Sequence, residues 1–512
     1  MNTGLKRSHN HKLILDGETL DLPSLIWATF DETVKVEVAE KAWHNLQRSY
    51  ENLKRSVNKG IQIYGVTTGV GANERITLKE RERLNFQEKI IKSHSVGVGS
   101  NVPKDIVRAT LILKINSLIK GYSGVRKEIV EYMTVFLNSH MYPKIPEKGS
   151  LGASGDLAPL SHMALPIVGL GEVMYGDQLI EGAEALKILG LKPLKLELKE
   201  GLALNNGLQY SLALAALNIY ESLFLFDEAI KAFVLSLEAI LGFSEAFRPE
   251  VAKVRNIPGM QYVNSRIWEY IKDSKLVDTV TGHKQDPYSW RTFTQVAGTI
   301  YDNLQYVRAT IERLLNSVTD NPLVFTDGVV SAGNFHGEDL ALAMDFLALN
   351  MVSLGTISER RVFALLSTHM NRGLPPFLAN KPGDNGLMMI QYTDVYLVAE
   401  NRQLATPVVG HSIPTSADQE DYVSLSALSG LKVRNMLQNL YKIIAIEYIT
   451  AAQAIDLRGP ENLGEGSRKI YEEVRQVIPF IKEDCTLYKY IEEMATHISN
   501  KYREYAVQRS RC

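Results

Sequence analysis

The sequence predicts a mainly α fold: a bundle of long helices, with a loop-rich N-terminal part and a small β-hairpin region. Three observations in its 512 residues predict it. Trp43, Leu46, Tyr50, Leu53 and Val57 keep a 3-4-3-4 spacing, one stripe of an amphipathic helix, and Ile300, Leu304, Val307, Ile311, Leu314 and Val318 alternate the same steps. Residues 202–243 are apolar on most sides, a pattern that belongs in the middle of a bundle. Strand signals, by contrast, are few.

Taken in order, residues 61–73 read as a glycine-rich loop after the first amphipathic helix. A helix is predicted to start near Pro159. Residues 173–180 hold a Gly-Asp pair and predict a small hairpin. Leu194, Leu196 and Leu198 alternate with Lys195, Glu197 and Lys199, as in a half-buried strand. Asp320-Asn321-Pro322 is expected to end the helix over 300–318, and residues 340–361 and 388–404 read as further long helices. The boundary between the loop-rich part, 1–200, and the helical body, 201–512, falls near Gly201.

Composition excludes several classes. The formal net charge is −2, with both signs interspersed, so no electrostatic attraction to nucleic acid or to an acidic membrane is expected. The two cysteines, Cys485 and Cys512, are too few for a disulfide framework and point to a reducing, cytoplasmic setting. The first residues have no apolar core like that of a signal peptide. Polar residues from Asn205 to Lys231 interrupt the apolar stretch 202–243, leaving no clean membrane span. No phosphate loop, cysteine pair or His-Glu-x-x-His motif occurs, so no metal is expected, and His9-Asn10-His11 reads as a tail.

Residues 149–164, GSLGASGDLAPLSHMA, carry the strongest chemical signal. At their centre, Ala153-Ser154-Gly155 is small enough for the backbone to fold onto itself. Glycine's amide nitrogen is the least hindered of those that keep an N–H. Attack of the Gly155 nitrogen on the Ala153 carbonyl, with loss of water, closes a five-membered imidazolone. Loss of a second water from Ser154 leaves an exocyclic methylene, a strong electrophile made without any external cofactor.

This segment closely resembles the signature of the histidine and aromatic amino-acid ammonia-lyase family, whose members make 4-methylideneimidazol-5-one (MIO) from Ala-Ser-Gly. The resemblance runs from about Asp16 to about Gly466. It implies a helical core like that of fumarase and aspartase. It also implies a homotetramer with each active site assembled from three chains, so that Tyr64, Arg291 and Phe335 come from different subunits.

An ammonia-eliminating site needs a base, a cation for the substrate carboxylate and a donor for developing negative charge. Tyr64, in Tyr64-Gly65-Val66-Thr67-Thr68-Gly69-Val70-Gly71, falls on the family's catalytic tyrosine. Its phenol, with an ordinary pKa of about 10, needs surroundings that stabilise the phenolate, such as helix N-termini. In Gln285-Asp286-Pro287-Tyr288-Ser289-Trp290-Arg291, the resemblance makes Arg291 the carboxylate clamp, with Tyr288 and Gln285 lining the site. Asn206-Gly207 matches the pair whose asparagine contacts the MIO carbonyl oxygen as an oxyanion donor would. Read without the family, Asn205 and Asn206 are buried residues at a helix start. Gly333-Asn334-Phe335-His336 matches the segment whose phenylalanine packs against the electrophile. Val70, Asn205, Leu208 and Trp290 depart from the usual family residues.

Three positions speak to the substrate. Ser93-His94 lies where the histidine-specific members carry Ser-His, and Glu420 where they carry Glu in place of the Gln of phenylalanine and tyrosine lyases and aminomutases. Met388 falls on a methionine that lines the histidine pocket, after one deletion near Asn385. A carboxylate opposite an imidazole accepts its N–H, whereas facing a phenyl ring it is buried without a partner. The expected small-molecule substrate is therefore L-histidine, giving trans-urocanate and ammonia. The alternatives are a phenylalanine or tyrosine lyase, a 2,3-aminomutase, or a helical scaffold that has lost catalysis.

Overall fold

The computed structural model describes residues 11–508; His9, Asn10 and Cys512 lie outside the described residues. Its centre is a bundle of long helices. The helices Gln209–Ala239 and Ser426–Arg458, of 31 and 33 residues, pack along each other. Glu338–Leu366 lies against both, and Phe293–Leu314 and Ile390–Leu404 close the outside. At 1.5 Å per residue the two central helices are each about 45–50 Å long. Nearly every residue of Gln209–Ala239 is buried, so its all-round apolar pattern is satisfied by neighbouring helices and not by lipid. Among the described residues, Glu338–Leu366 is long and apolar enough to cross a membrane, but most of it is covered inside the bundle.

The amphipathic stripe beginning at Trp43 forms the helix Glu40–Asn58, and the 340–361 and 388–404 patterns form Glu338–Leu366 and Ile390–Leu404. The hairpin pairs Glu172–Tyr175 with Gln178–Glu181 around Gly176, whose φ of +61° suits the tight turn. A third strand, Met141–Pro143, joins it antiparallel. Three two-stranded pairs are the other sheets among the described residues.

Two elements differ from expectation. No strand forms over 194–198. The leucines alternate, but Arg126, the N-cap of the helix Lys127–Asn138, donates to Lys195 O, a carbonyl a ladder would need, and Leu198 has a φ of +45°, outside the extended range. The helix expected to reach Val318 ends at Leu314. There the Asn316 side chain pairs with both backbone groups of Leu20, at 3.0 and 2.8 Å, and this contact, not Pro322, pulls the chain out of the helix.

Candidate active site

The helix Leu157–Ala164 begins two residues after the Ala153-Ser154-Gly155 tripeptide. Gly155 has a φ of +76°, and a Cβ there would lie 2.3 Å from the carbonyl oxygen of Gly207. Only glycine fits this approach, in which Gly155 and Gly207 form a parallel bridge and the Asp156 N–H donates to Gly207 O at 2.7 Å. Asp156 is fully buried, accepting from Ser150 Oγ and from the N–H and Oγ of Ser211. Burial pushes its carboxyl above the usual range, against those hydrogen bonds.

Gly207 sits in a break between the helices Glu200–Asn205 and Gln209–Ala239. Asn206 caps the first helix with extended backbone, so it and Asn205 stand at a helix end, not a helix start. The break turns the Asn206 amide towards the tripeptide: Nδ2 donates to the Ser154 carbonyl oxygen at 3.1 Å. Asn206 Oδ1 is buried and has no partner. Asn205 points the other way, donating to Ser161 Oγ at 3.2 Å.

A cleft of about 650 Å³ opens over the tripeptide. Tyr64, His94, Ala153, Ser154, Asn206, Phe335 and Glu420 all line it, with Val70, Glu74 and His336 beside them. The Ser154 hydroxyl donates to Glu420 Oε1 at 2.5 Å, and Thr415 Oγ1 donates to Oε2 at 3.2 Å. His94 ends the helix Glu80–His94, and its Nδ1 lies 2.8 Å from Ile90 O. A carbonyl oxygen only accepts, so Nδ1 carries a proton, and it is the Nε2 edge of the ring that is free of this bond.

The Tyr64 oxygen accepts the Gly71 N–H at 2.8 Å. Burial raises its pKa, that N–H lowers it, and the charges of Glu420 and Glu74 raise it further. The net push is upward. In the chain alone, the expected phenolate stabilisation comes from one loop amide and is outweighed by burial.

Phe335 and Tyr64, expected from different subunits, border one cleft of a single chain. Gln285, Tyr288, Arg291 and Met388 do not line it. Arg291 donates to Gln285 Oε1 at 2.6 Å, and both face a separate depression of about 340 Å³. Tyr288 is 72% exposed. The short helix Tyr288–Arg291 is nevertheless firmly set. Trp290, one of the departures from the family pattern, is fully buried and donates from Nε1 to Ser236 Oγ at 3.1 Å. Asp286 pairs with Arg372 at 2.7 Å, and Arg361 donates to Ser289 O.

Sequence reading missed a polar layer under the site. Gln87 is buried and bridges the tyrosine loop and the helix Glu200–Asn205: Nε2 donates to Gly65 O at 2.8 Å, and Oε1 accepts the Leu202 N–H at 3.0 Å. Lys114 donates to Asn206 O at 2.7 Å, and Lys199 pairs with Asp320 at 2.5 Å, all buried. A lone lysine inside the apolar run Leu111-Ile112-Leu113-Lys114-Ile115 was the available signal.

The helical bundle and the cleft over a cyclisable tripeptide define a class of carbon–nitrogen lyase, and the family profile for aromatic amino acid lyases matches residues 22–476. The chain belongs to that family. Among curated relatives, a histidine ammonia-lyase from Caldanaerobacter subterraneus subsp. tengcongensis is 40% identical over 482 residues, 93% of this chain and 94% of the relative. Among solved structures, histidine ammonia-lyase from Trypanosoma cruzi superposes with a TM-score of 0.88 at 33% identity, covering 98% of this chain and 95% of that one. Tyrosine aminomutase from Streptomyces globisporus superposes with a TM-score of 0.91, also at 33% identity, covering 98% and 99%.

Proposed function

We propose that this chain eliminates ammonia from L-histidine to give trans-urocanate. The observation that carries this reading is Glu420, whose carboxylate lies against Ser154 in the same cleft as His94. A carboxylate beside the reacting centre accepts an imidazole N–H and has no partner on a phenyl ring. The histidine-specific relatives support the same choice.

The prosthetic group of this reading is MIO, formed from Ala153, Ser154 and Gly155. The residues present fit it. Ring closure leaves the Ser154 carbonyl as the ring oxygen, and the Asn206 amide already points at that atom. Gly155 occupies a place where a Cβ would collide with Gly207. Once formed, the group supplies an electrophile that makes the substrate amine a better leaving group. Tyr64 takes the β-proton, His94 meets the imidazole or the amine through Nε2, and Phe335 packs beside the reacting centre. Asn206 holds negative charge on the carbonyl oxygen.

Arg291 holds the substrate carboxylate, with Gln285, Tyr288 and Met388 completing the pocket. Because these four lie away from the cleft of their own chain, the reading requires a homotetramer in which neighbouring subunits supply them. Residues 1–200 then deliver the tyrosine loop and the tripeptide, and 201–512 the helical body and substrate loops. The enzyme is taken to act in the cytoplasm, with no membrane or nucleic-acid partner. Proton NMR of the products from L-histidine tests the reaction type: the alkene protons of urocanate with equimolar ammonia support elimination, whereas a β-amino acid would make the enzyme an aminomutase.

A further inference from the structure

Lys114 is a buried ionisable group beside the site that the mechanism above leaves unused. It projects from the helix Lys104–Leu118 and is 1% exposed. Its Nζ donates to the Asn206 carbonyl oxygen at 2.7 Å and lies 3.3 Å from Gln209 Oε1. These two residues flank the break between Glu200–Asn205 and Gln209–Ala239, where Gly207 takes a φ of +117°. Burial pulls the ammonium down to about 7, against the attraction of Asp320, and the amine donates a hydrogen bond in either charge state.

The other side of the break is held by Thr319, whose Oγ1 accepts the Leu208 N–H at 3.0 Å and Gln209 Nε2 at 3.1 Å. The Asn206 N–H still closes the last turn of the first helix on Leu202 O at 2.9 Å, so its carbonyl is the backbone group that is held from outside both helices, by Lys114. The Asn206 side chain has one bond, to the Ser154 carbonyl, and an unpartnered Oδ1. Where that amide points is set by the position of its Cα, and so by the backbone of the break, together with this single bond. An oxyanion donor a fraction of an ångström out of place loses much of its effect.

We propose that Lys114 is a positioning residue for the reaction: by holding the Asn206 carbonyl it fixes the helix break and keeps the Asn206 amide aimed at the Ser154 carbonyl oxygen. This inference rests on the lyase reading. It adds a group outside the cleft that acts on catalysis through a single neighbour.

The test is a double-mutant cycle of Lys114→Met and Asn206→Ala on the full-length enzyme, reading kcat and KM for L-histidine and the intact mass of each variant. Lys114→Met is expected to lower kcat ~10-fold, the size of one lost buried hydrogen bond, with KM changed less than about twofold. The double variant is expected to be no slower than Asn206→Ala alone, since both changes remove the same alignment. A merely structural lysine would give multiplicative losses, and that result, or a wild-type kcat in Lys114→Met, overturns the proposal. If Lys114→Met does not fold by circular dichroism, Lys114→Gln replaces it in the same cycle, with the same expected and contradicting results. Wild-type enzyme inactive on histidine counts against the substrate reading alone, and the cycle then runs on whichever of L-tyrosine or L-phenylalanine is turned over.

Discussion

The hydroxyl of Ser154 donates to the carboxylate of Glu420 at 2.5 Å across 266 residues of chain. One of these residues is expected to become the electrophilic carbon and the other to read the substrate ring. The hydroxyl leaves as water when the methylene forms, so this hydrogen bond belongs to the uncyclised tripeptide; it sets the Glu420 carboxylate beside the carbon that is expected to become electrophilic.

Glu420→Gln should therefore change substrate preference more than fold. Losing a charge-assisted hydrogen bond to imidazole is expected to cost about 1.5–3 kcal/mol, roughly 10- to 100-fold in kcat/KM for histidine. The thermal midpoint should stay near that of wild type. Undiminished histidine turnover in steady-state assays would show that Glu420 does not read the ring.

Ser154→Ala should abolish turnover while the bundle folds normally. Intact mass spectrometry is the direct check. Wild type is expected to weigh less than its sequence by two waters, and the variant to show its full sequence mass. An unshortened wild-type mass in folded, active protein would remove the prosthetic group from the account.

Tyr64→Phe should lower kcat by about 10²- to 10⁴-fold, the usual contribution of a general base. The pH profile carries the sign. Burial sets the phenol above its ordinary value, so the neutral form dominates at neutral pH and the base form grows as pH rises. Wild-type kcat should climb through the alkaline range, and the residual rate of Tyr64→Phe should lack that climb. A wild-type rate that falls over the same range would argue against the tyrosine.

Arg291 tests the shared site. It lies outside the cleft that Tyr64 lines in the same chain. Arg291→Met and Tyr64→Phe homo-oligomers should each be nearly inactive. Unfolded together and refolded as a mixture, they should recover a measurable share of activity, because some sites then draw a good tyrosine and a good arginine from different chains. No recovery in refolded mixed oligomers would place both residues in one chain's site.

Local pattern made much of this molecule readable. The stripe from Trp43 to Val57, the hairpin at Gly176 and the mostly apolar 209–239 helix follow from side-chain periodicity and turn chemistry, and each formed with small shifts at the ends. The tripeptide, Asn206, His94, Phe335 and Glu420 were legible as motifs and converge on one cleft. What failed was non-local. Residues 194–198 alternate like a strand, yet Arg126, the N-cap of the helix Lys127–Asn138, takes the Lys195 carbonyl, and Leu198 has a φ of +45°, outside the extended range. The polar layer of Gln87, Lys114, Lys199 and Asp320 makes no motif, because its members come from separate elements and meet only after folding. Arg291 had a motif, but no pattern within the chain says which cleft it faces.

The central claim is elimination from histidine, and ultraviolet absorbance tests it most directly. Purified enzyme is mixed separately with L-histidine, L-tyrosine and L-phenylalanine, and conjugated acrylate absorbance is followed. A rise with histidine alone is the predicted result. A rise with tyrosine or phenylalanine and none with histidine would contradict the reading of Glu420 and His94.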